Sequence, residues 1–329
     1  MTHPLRIGVL GAARITKDAL LAPSSRIEGV EVAAIAARDA ERARRYAAKH
    51  GIPHVHDDYE SLLADDRIDA VYVPLPAALH GRWTLAAMRA GKHVLCEKPF
   101  TANSVEAEQV ASAAAGADTV VMEAYHSFHH PLRERLQEIL SGGELGRIKT
   151  ASARFCVPIP PGRDIRWNLD LGGGGLLDVG YYPVRMLRDL LGGDPSVGAV
   201  EMRSRGGIDR TMRATLRFDE DVDAEVVSSI WSRRLIASSL DIRGTEGRLH
   251  VSWPYHPQLG SVLRIERCGV RTREHASRRA TYDYQLEAFR DAVHGEVPVL
   301  TGAPEAVAQM RVIDALYSAA GLEPRRPLP

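Results

Sequence analysis

The stretch Arg6–Thr16, RIGVLGAARIT, decides how the chain is read. A short β-rich run ends at Leu10, small residues follow at Gly11, Ala12 and Ala13, and a helical pattern begins beyond them. Gly11, Ala13 and Thr16 fall where a dinucleotide fingerprint has its three small residues, although only the first is glycine. A tight turn at Gly11, close backbone approach at Ala12 and Ala13, and a helix N-terminus aimed at an anion are what a pyrophosphate requires. The stretch gains its weight from the alternation of elements in the next hundred or so residues. Leu5–Leu10, Val30–Ala36, Ala70–Leu75, His93–Cys96 and Thr119–Met122 are short β-rich runs, each separated from the next by an amphipathic segment. Such alternation predicts right-handed βαβ units and a doubly wound parallel sheet covered on both faces. Asp39–Gly51, DAERARRYAAKHG, is one of its helices, with a capping Asp first and a Gly stop last.

After Glu123 the pattern changes. Residues 131–146 read as a helix and 147–157 as a strand, followed by a glycine-rich loop and another helix. Runs near 198–205, 211–218, 222–232, 238–243, 248–253 and 262–267 then read as consecutive strands, which predicts a C-terminal α+β domain with a largely antiparallel sheet. The polar, arginine-rich segment 268–279 reads as an exposed loop, and two helices, within 284–295 and 304–321, close the chain. The expected division is a Rossmann domain over 1–123 and a substrate-binding and oligomerisation domain over 124–329, with the last helices free to pack back on the first. A length of 329 residues suits two such domains.

Forty-two basic and 42 acidic residues cancel, so nothing favours nucleic acid or an anionic membrane surface, and a small-molecule partner is expected. Three widely spaced cysteines, Cys96, Cys156 and Cys268, form neither a metal-type pair nor a disulfide framework. With no signal-peptide pattern at MTHPLRIGVLG and no bilayer-length apolar run, a cytoplasmic protein is expected.

Cofactor choice should be legible at the end of the strand Val30–Ala36, where NAD binders place an acid for the ribose hydroxyls. Ala37 and Arg38 stand there instead. Arg38 suits a 2′-phosphate and favours NADP(H), while Asp39 beside it keeps NAD as the alternative. Open parallel sheets bind ligands beyond the carboxyl ends of their strands, and both Pro76–His80 and Glu97–Pro99 fall at such ends. Lys98 is therefore on the ligand edge, in a turn that Pro99 restricts. In the run DIRWNLDLGGGGLLDVGYYPVRMLRDLLGG, Gly172–Gly175 open a helix. On a regular helix Asp178, Tyr182 and Arg185 share one face, with Asp178 and Tyr182 about 40° apart, and Val179, Met186, Leu187 and Leu190 occupy the other.

These motifs, GVLGAARI, YVPLPAALH, AGKHVLCEKP, HHPLRERL, GGGGLLDVGYYPV, YQLEAFRDAV and MRVIDALYSAA, span nearly the whole chain, which resembles the Gfo/Idh/MocA oxidoreductases. The resemblance implies a C-terminal open sheet used for homodimers or homotetramers and a nicotinamide held at the junction of the domains. It implies Lys98 of the Glu-Lys-Pro motif as the catalytic lysine, often followed by a cis bond to proline. It also implies Asp178 and, four residues later, a histidine in many members, where this chain has Tyr182. The wording lies closest to the branch of dihydrodiol dehydrogenases, glucose-fructose oxidoreductase and sugar-nucleotide ketoreductases, which commonly uses NADP(H).

The expected activity is hydride transfer between the nicotinamide and a secondary alcohol or ketone of a sugar, sugar nucleotide or cyclic polyol. Lys98 polarises the oxygen, Tyr182 relays the proton and Asp178 orients, with the choice of Lys98 or Tyr182 as proton donor left open. The expected cofactor set is Gly11, Ala12, Ala13, Arg14, Ile15, Ala37, Arg38, Pro74, Leu75, Pro76, His80, Glu97 and Lys98. Tyr125, Arg166, Trp167, Asp178 and Tyr182 are expected to meet the substrate. The histidines of YHSFHHP, residues 125–131, invite a metal, yet no carboxylate or cysteine completes a site, and none is expected. An NAD-dependent glycosidase and a non-catalytic dinucleotide sensor are the alternatives. Arg38 opposes the first, and the Lys98, Asp178 and Tyr182 set opposes the second.

Overall fold

The computed structural model describes residues 3–162, 164–219, 222–231 and 236–328. It divides into two compact units, Met1–His129 with Tyr282–Val307 and Pro327–Pro329, and His130–Thr281 with Ala308–Arg326.

The first unit holds six strands: β1 Leu5–Leu10, β2 Val30–Ala36, β3 His54–His56, β4 Ala70–Val73, β5 His93–Glu97 and β6 Val121–Ala124. They pair in parallel in the order β3-β2-β1-β4-β5-β6. This is the doubly wound arrangement read from the sequence, and its crevice lies at the strands' carboxyl ends. β3 went unread because three residues carry no measurable alternation. The core is formed by Ile7, Val9, Ile35, Tyr72 and Leu95, and Leu286 and Phe289 of the helix Thr281–Val293 pack into it. The helix Ala40–His50 is capped as expected: the Asp39 side chain accepts from Arg42 N at 3.0 Å, and Gly51 stops it at φ 74°. The segment after Gly11 is less regular than the fingerprint suggests, a π turn over Lys17–Leu21 running into a short helix, Ala22–Ser24.

The second unit is built on eight strands: β7 Ile148–Cys156, β8 Ser196–Arg205, β9 Ile208–Phe218, β10 Val222–Ser229, β11 Ala237–Gly244, β12 Gly247–Ser252, β13 Val262–Arg267 and β14 Val270–His275. Their order is β14-β13-β12-β11-β7-β10-β9-β8, antiparallel except for the pair β7 and β10. Ser232, the last residue of the run read as a strand over 222–232, lies outside the described residues. The helix Tyr181–Leu191 packs on β7 and β10, where Ala151, Ala153 and Ala224 are buried and small enough to let it lie close. The segment 268–279, expected as a loop, instead contains β14. Cys268 and Gly269 both take positive φ, 49° and 79°, as a two-residue hairpin turn demands. The strand beyond this turn is an exposed, arginine-bearing edge, so it shows no buried face for a sequence pattern to reveal.

Candidate active site

In the first unit Lys98 follows β5 at the carboxyl edge of the sheet, half-buried between buried neighbours, and the Lys98–Pro99 bond is cis. Buried side chains hold the turn by its backbone. His80 Nδ1 lies 2.7 Å from Pro99 O, Glu123 Oε1 accepts from Phe100 N at 3.1 Å, and Glu106 Oε2 accepts from Ala102 N at 2.9 Å. His80 Nε2 lies 2.6 Å from Leu75 O, so the imidazole sits between carbonyls of the turns after β4 and after β5. Burial pushes the His80 pKa down, and a neutral ring donates to one of these carbonyls at a time. Glu97 points inward, where Tyr72 Oη donates to its Oε1 at 2.6 Å; burial pushes the Glu97 carboxyl up, opposed by Tyr72 and the Lys98 ammonium. Burial likewise lifts Glu106 to about 7. Tyr125, fully buried, directly follows β6.

At the first turn Gly11 takes φ 111°, and a Cβ there would lie 3.0 Å from Leu75 Cδ2. Ala12 is buried, Ala13 half-buried, and Arg14 and Ile15 exposed. Ala37 is buried just beyond β2 and Arg38 is exposed. One carboxylate oxygen of Asp39, the residue beside Arg38, is engaged as the helix cap. Arg42 reaches back to donate to Ala12 O at 2.7 Å, a second cation at this edge that the sequence reading missed. Pro74 is buried, Leu75 and Pro76 are half-buried, and all three follow β4. This edge fits a dinucleotide, with small residues and positive φ at the first turn and cations where the adenosine ribose would lie.

In the second unit the Gly172–Gly175 loop enters a π turn, Leu176–Gly180, which continues into the helix Tyr181–Leu191. The π turn is wider than a regular helix, so the angular spacing expected between Asp178 and Tyr182 does not hold there. Asp178 accepts from Arg166 Nε, and Arg166 Nη1 lies 3.2 Å from Asp164 Oδ1. The two carboxylates, Asp178 foremost, raise the guanidinium pKa further above its ordinary range. Trp167 is half-buried, its indole N–H donating to Ile159 O at 3.2 Å. Arg185 was expected to share the equipped face; it is instead fully buried, its Nε 2.9 Å from Asp189 Oδ1. The helix is enclosed on nearly every side along Tyr181–Arg188, so its faces are not divided into wet and dry.

Tyr182 sits among aromatic rings that sequence reasoning passed over: Phe155 at 5.5 Å, Tyr255 at 5.8 Å and His256 at 5.9 Å between centroids. The signal was present in WPYHP, Trp253–Pro257, an aromatic run between prolines directly after β12, where Trp253 takes φ 55°. The histidines of YHSFHHP have structural partners. His130 caps its helix, its Nδ1 accepting from Leu132 N at 3.0 Å, and the His126 ring packs 4.4 Å from Tyr282.

Comparison with known proteins fits this geometry. Residues 5–125 match the model of the oxidoreductase family with an NAD-binding Rossmann fold, and 134–250 match the Gfo/Idh/MocA C-terminal domain. The chain belongs to the Gfo/Idh/MocA oxidoreductase family. Among its relatives, D-xylose 1-dehydrogenase (NADP(+)) 2 of Haloferax volcanii is 37% identical, the match covering 96% of this chain and 97% of the relative. The dTDP-3,4-didehydro-2,6-dideoxy-alpha-D-glucose 3-reductase of Actinomadura kijaniata is 34% identical, over 97% and 96%. The solved structure of KijD10, a 3-ketoreductase from Actinomadura kijaniata in complex with NADP and TDP-benzene, superposes with a TM-score of 0.90 at 31% identity, covering 96% of this chain and 98% of that one. As a member of this oxidoreductase family the chain is an enzyme, and among its described residues no helix is long and apolar enough to cross a membrane.

Proposed function

We propose that this Gfo/Idh/MocA enzyme uses NADP(H) to interconvert a sugar hydroxyl and the corresponding carbonyl, with an uncharged aldose as substrate. The observation that carries the reading is Lys98, presented at the carboxyl edge of the Rossmann sheet on a turn held by three buried side chains. Bound NADP(H) supplies a hydride donor or acceptor, and the protein's residues do the rest. Gly11–Ile15 would cradle the pyrophosphate, Arg38 and Arg42 the 2′-phosphate, and Leu75 and Pro76 would line the edge beside the nicotinamide. Lys98 stabilises negative charge on the reacting oxygen, and Tyr182 passes the proton to or from that oxygen. Asp178, held by Arg166, accepts a substrate hydroxyl and fixes the sugar's orientation. The aromatic surround of Phe155, Tyr255 and His256 supports the Tyr182 ring.

The preference for an uncharged sugar rests on Arg166. Its guanidinium is already engaged by two carboxylates, Asp164 and Asp178, which leaves it less suited to pairing with a substrate phosphate. A nucleotide-linked keto sugar is the second reading, favoured by likeness to the ketoreductase over nearly the full chain. Steady-state assays decide between them: D-xylose with NADP+ against a dTDP-linked keto sugar with NADPH. A kcat/KM higher for the nucleotide sugar would exclude the first reading. We further propose a cytoplasmic homo-oligomer joined through the open face of the eight-stranded sheet, which light scattering after gel filtration tests.

A further inference from the structure

We propose that Arg325, near the C-terminus, acts with Asp209 and Tyr317 as a clamp that positions the turn carrying Asp178 and Tyr182; the inference rests on the role proposed for those two residues. Asp209, at the start of β9, is fully buried, and its Oδ2 accepts from Leu176 N at 2.6 Å, the first amide of the π turn. Its Oδ1 accepts from Tyr317 Oη at 3.1 Å and from Arg325 Nη2 at 2.7 Å. Arg325, 4% exposed, also donates from Nε to Gly173 O at 2.9 Å, and its guanidinium lies 4.4 Å from the centre of the Tyr317 ring.

The four glycines Gly172–Gly175 are buried, and Gly174 takes φ 147°. A Cβ at Gly174 would fall 2.3 Å from Asp209 Oδ1, 2.8 Å from Tyr317 Oη and 3.0 Å from Arg325 Nη2. Glycine is therefore required because the clamp occupies the space a side chain would need. Four successive glycines leave the chain unusually free in conformation, so something else must fix where the turn begins. The clamp grips it on both sides, at Gly173 O before the turn and at Leu176 N as it starts. A buried ion pair contributes little net stability compared with an apolar pair of similar volume, and fixing register is its better-attested use. Asp178 lies two residues beyond the gripped amide and Tyr182 six, so displacement at Leu176 is transmitted to both.

The test is the double variant Asp209→Asn with Arg325→Met, which removes both buried charges and keeps an oxygen to accept from Leu176 N. Its folding is checked by melting, its cofactor half by NADPH titration, and its turn by hydrogen exchange at Leu176–Gly180. Exchange in that segment is expected to quicken at least roughly tenfold, while the strands β7 and β10 and the NADPH affinity stay as in the parent. With the better of the two sugar substrates, kcat is expected to fall roughly 10- to 100-fold with KM little changed. Arg325→Lys, which keeps the charge, should recover part of the loss. Should the double variant fail to fold, Tyr317→Phe removes only the hydroxyl that meets Asp209 and the Leu177 backbone, and should show the same local exchange on a smaller scale. Parent-like exchange at Leu176–Gly180, or parent-like kcat while Tyr182→Phe is impaired, overturns the clamp and leaves the site reading standing. Parent-like kcat in Tyr182→Phe overturns the site reading instead, and the exchange data still judge the clamp.

Discussion

Replacing Glu106 by glutamine should make the protein more stable at pH 8 and leave it nearly unchanged at pH 4. Glu106 is buried in the first turn of the helix Ser104–Ala114, its Oε2 accepting from Ala102 N in the segment just past Lys98. Burial raises its pKa from 4.5 to about 7, while the single backbone bond opposes the rise. Below pH 4.5 the carboxyl is protonated in folded and unfolded chains alike. Between 4.5 and 7 the unfolded chain releases the proton and the folded one keeps it, so stability falls as pH rises through that window. Above 7 the cost is complete, about 3 kcal/mol at about 1.4 kcal/mol per pH unit. Glutamine keeps the acceptor for Ala102 N and cannot titrate. The side chain is packed against Gly81, where a Cβ would lie 2.4 Å from Glu106 Oε1, so an isosteric replacement is the appropriate one. The assay is urea unfolding of both proteins at intervals from pH 4 to 8. Other titrating groups are common to both, so they cancel in the difference, and a constant cost of burying the amide shifts that difference equally at every pH. A difference in stability that does not change with pH between 4.5 and 8 would refute the reasoning.

Lys98→Ala should lower kcat by roughly 100- to 1,000-fold, the loss seen when one donor to a developing oxyanion is removed, with NADPH affinity nearly intact; near-normal turnover would sink the mechanism. Arg38→Ala should weaken NADPH binding roughly tenfold or more and NADH binding little, by the loss of a charge-assisted bond, and equal effects in fluorescence titrations of the two cofactors would contradict the assignment. Gly174→Ala should cost at least about 2 kcal/mol, since it combines a positive φ with collision against a fully buried carboxylate, and a melting temperature equal to the parent's would show that the clamp can give way.

The Rossmann half was legible because its signals are local. β1, β2, β4, β5 and β6 are apolar runs bounded by turn residues, and Asp39 and Gly51 mark both ends of one helix within a short window. The same locality explains the misses. β3 and β14 are short or exposed on the sheet edge, so neither has a buried face to impose alternation. Arg185 lies away from the expected face because a π turn precedes its helix and the helix is enclosed. On the cofactor edge Arg38 could be proposed from its place just beyond the end of β2. Arg42 could not, because its bond to Ala12 O depends on how the helix Ala40–His50 lies across that turn.

The groups assigned chemistry and the groups that hold them differ in how they are written into the chain. Lys98, Asp178 and Tyr182 lie in short motifs next to prolines or glycines, where backbone restriction leaves a local mark. Their supports do not. Glu123 reaches Phe100 N across 23 residues, and Arg325 reaches Asp209 across 116, with nothing between to show the pairing. Each support is also a buried ionisable group whose desolvation opposes folding, as the raised carboxyl pKa of Glu106 and of Asp209 shows. A sequence optimised only for stability would replace such groups by apolar ones of similar volume. Their presence beside the two turns that carry the proposed chemistry is explained if what they supply is position: each binds a named backbone atom, at Pro99, Phe100, Ala102, Gly173 or Leu176, in turns that no regular ladder secures. On that account the variants that neutralise these groups should separate the two quantities, Glu106→Gln raising stability at neutral pH and the Asp209 and Arg325 pair lowering turnover at little cost in melting temperature.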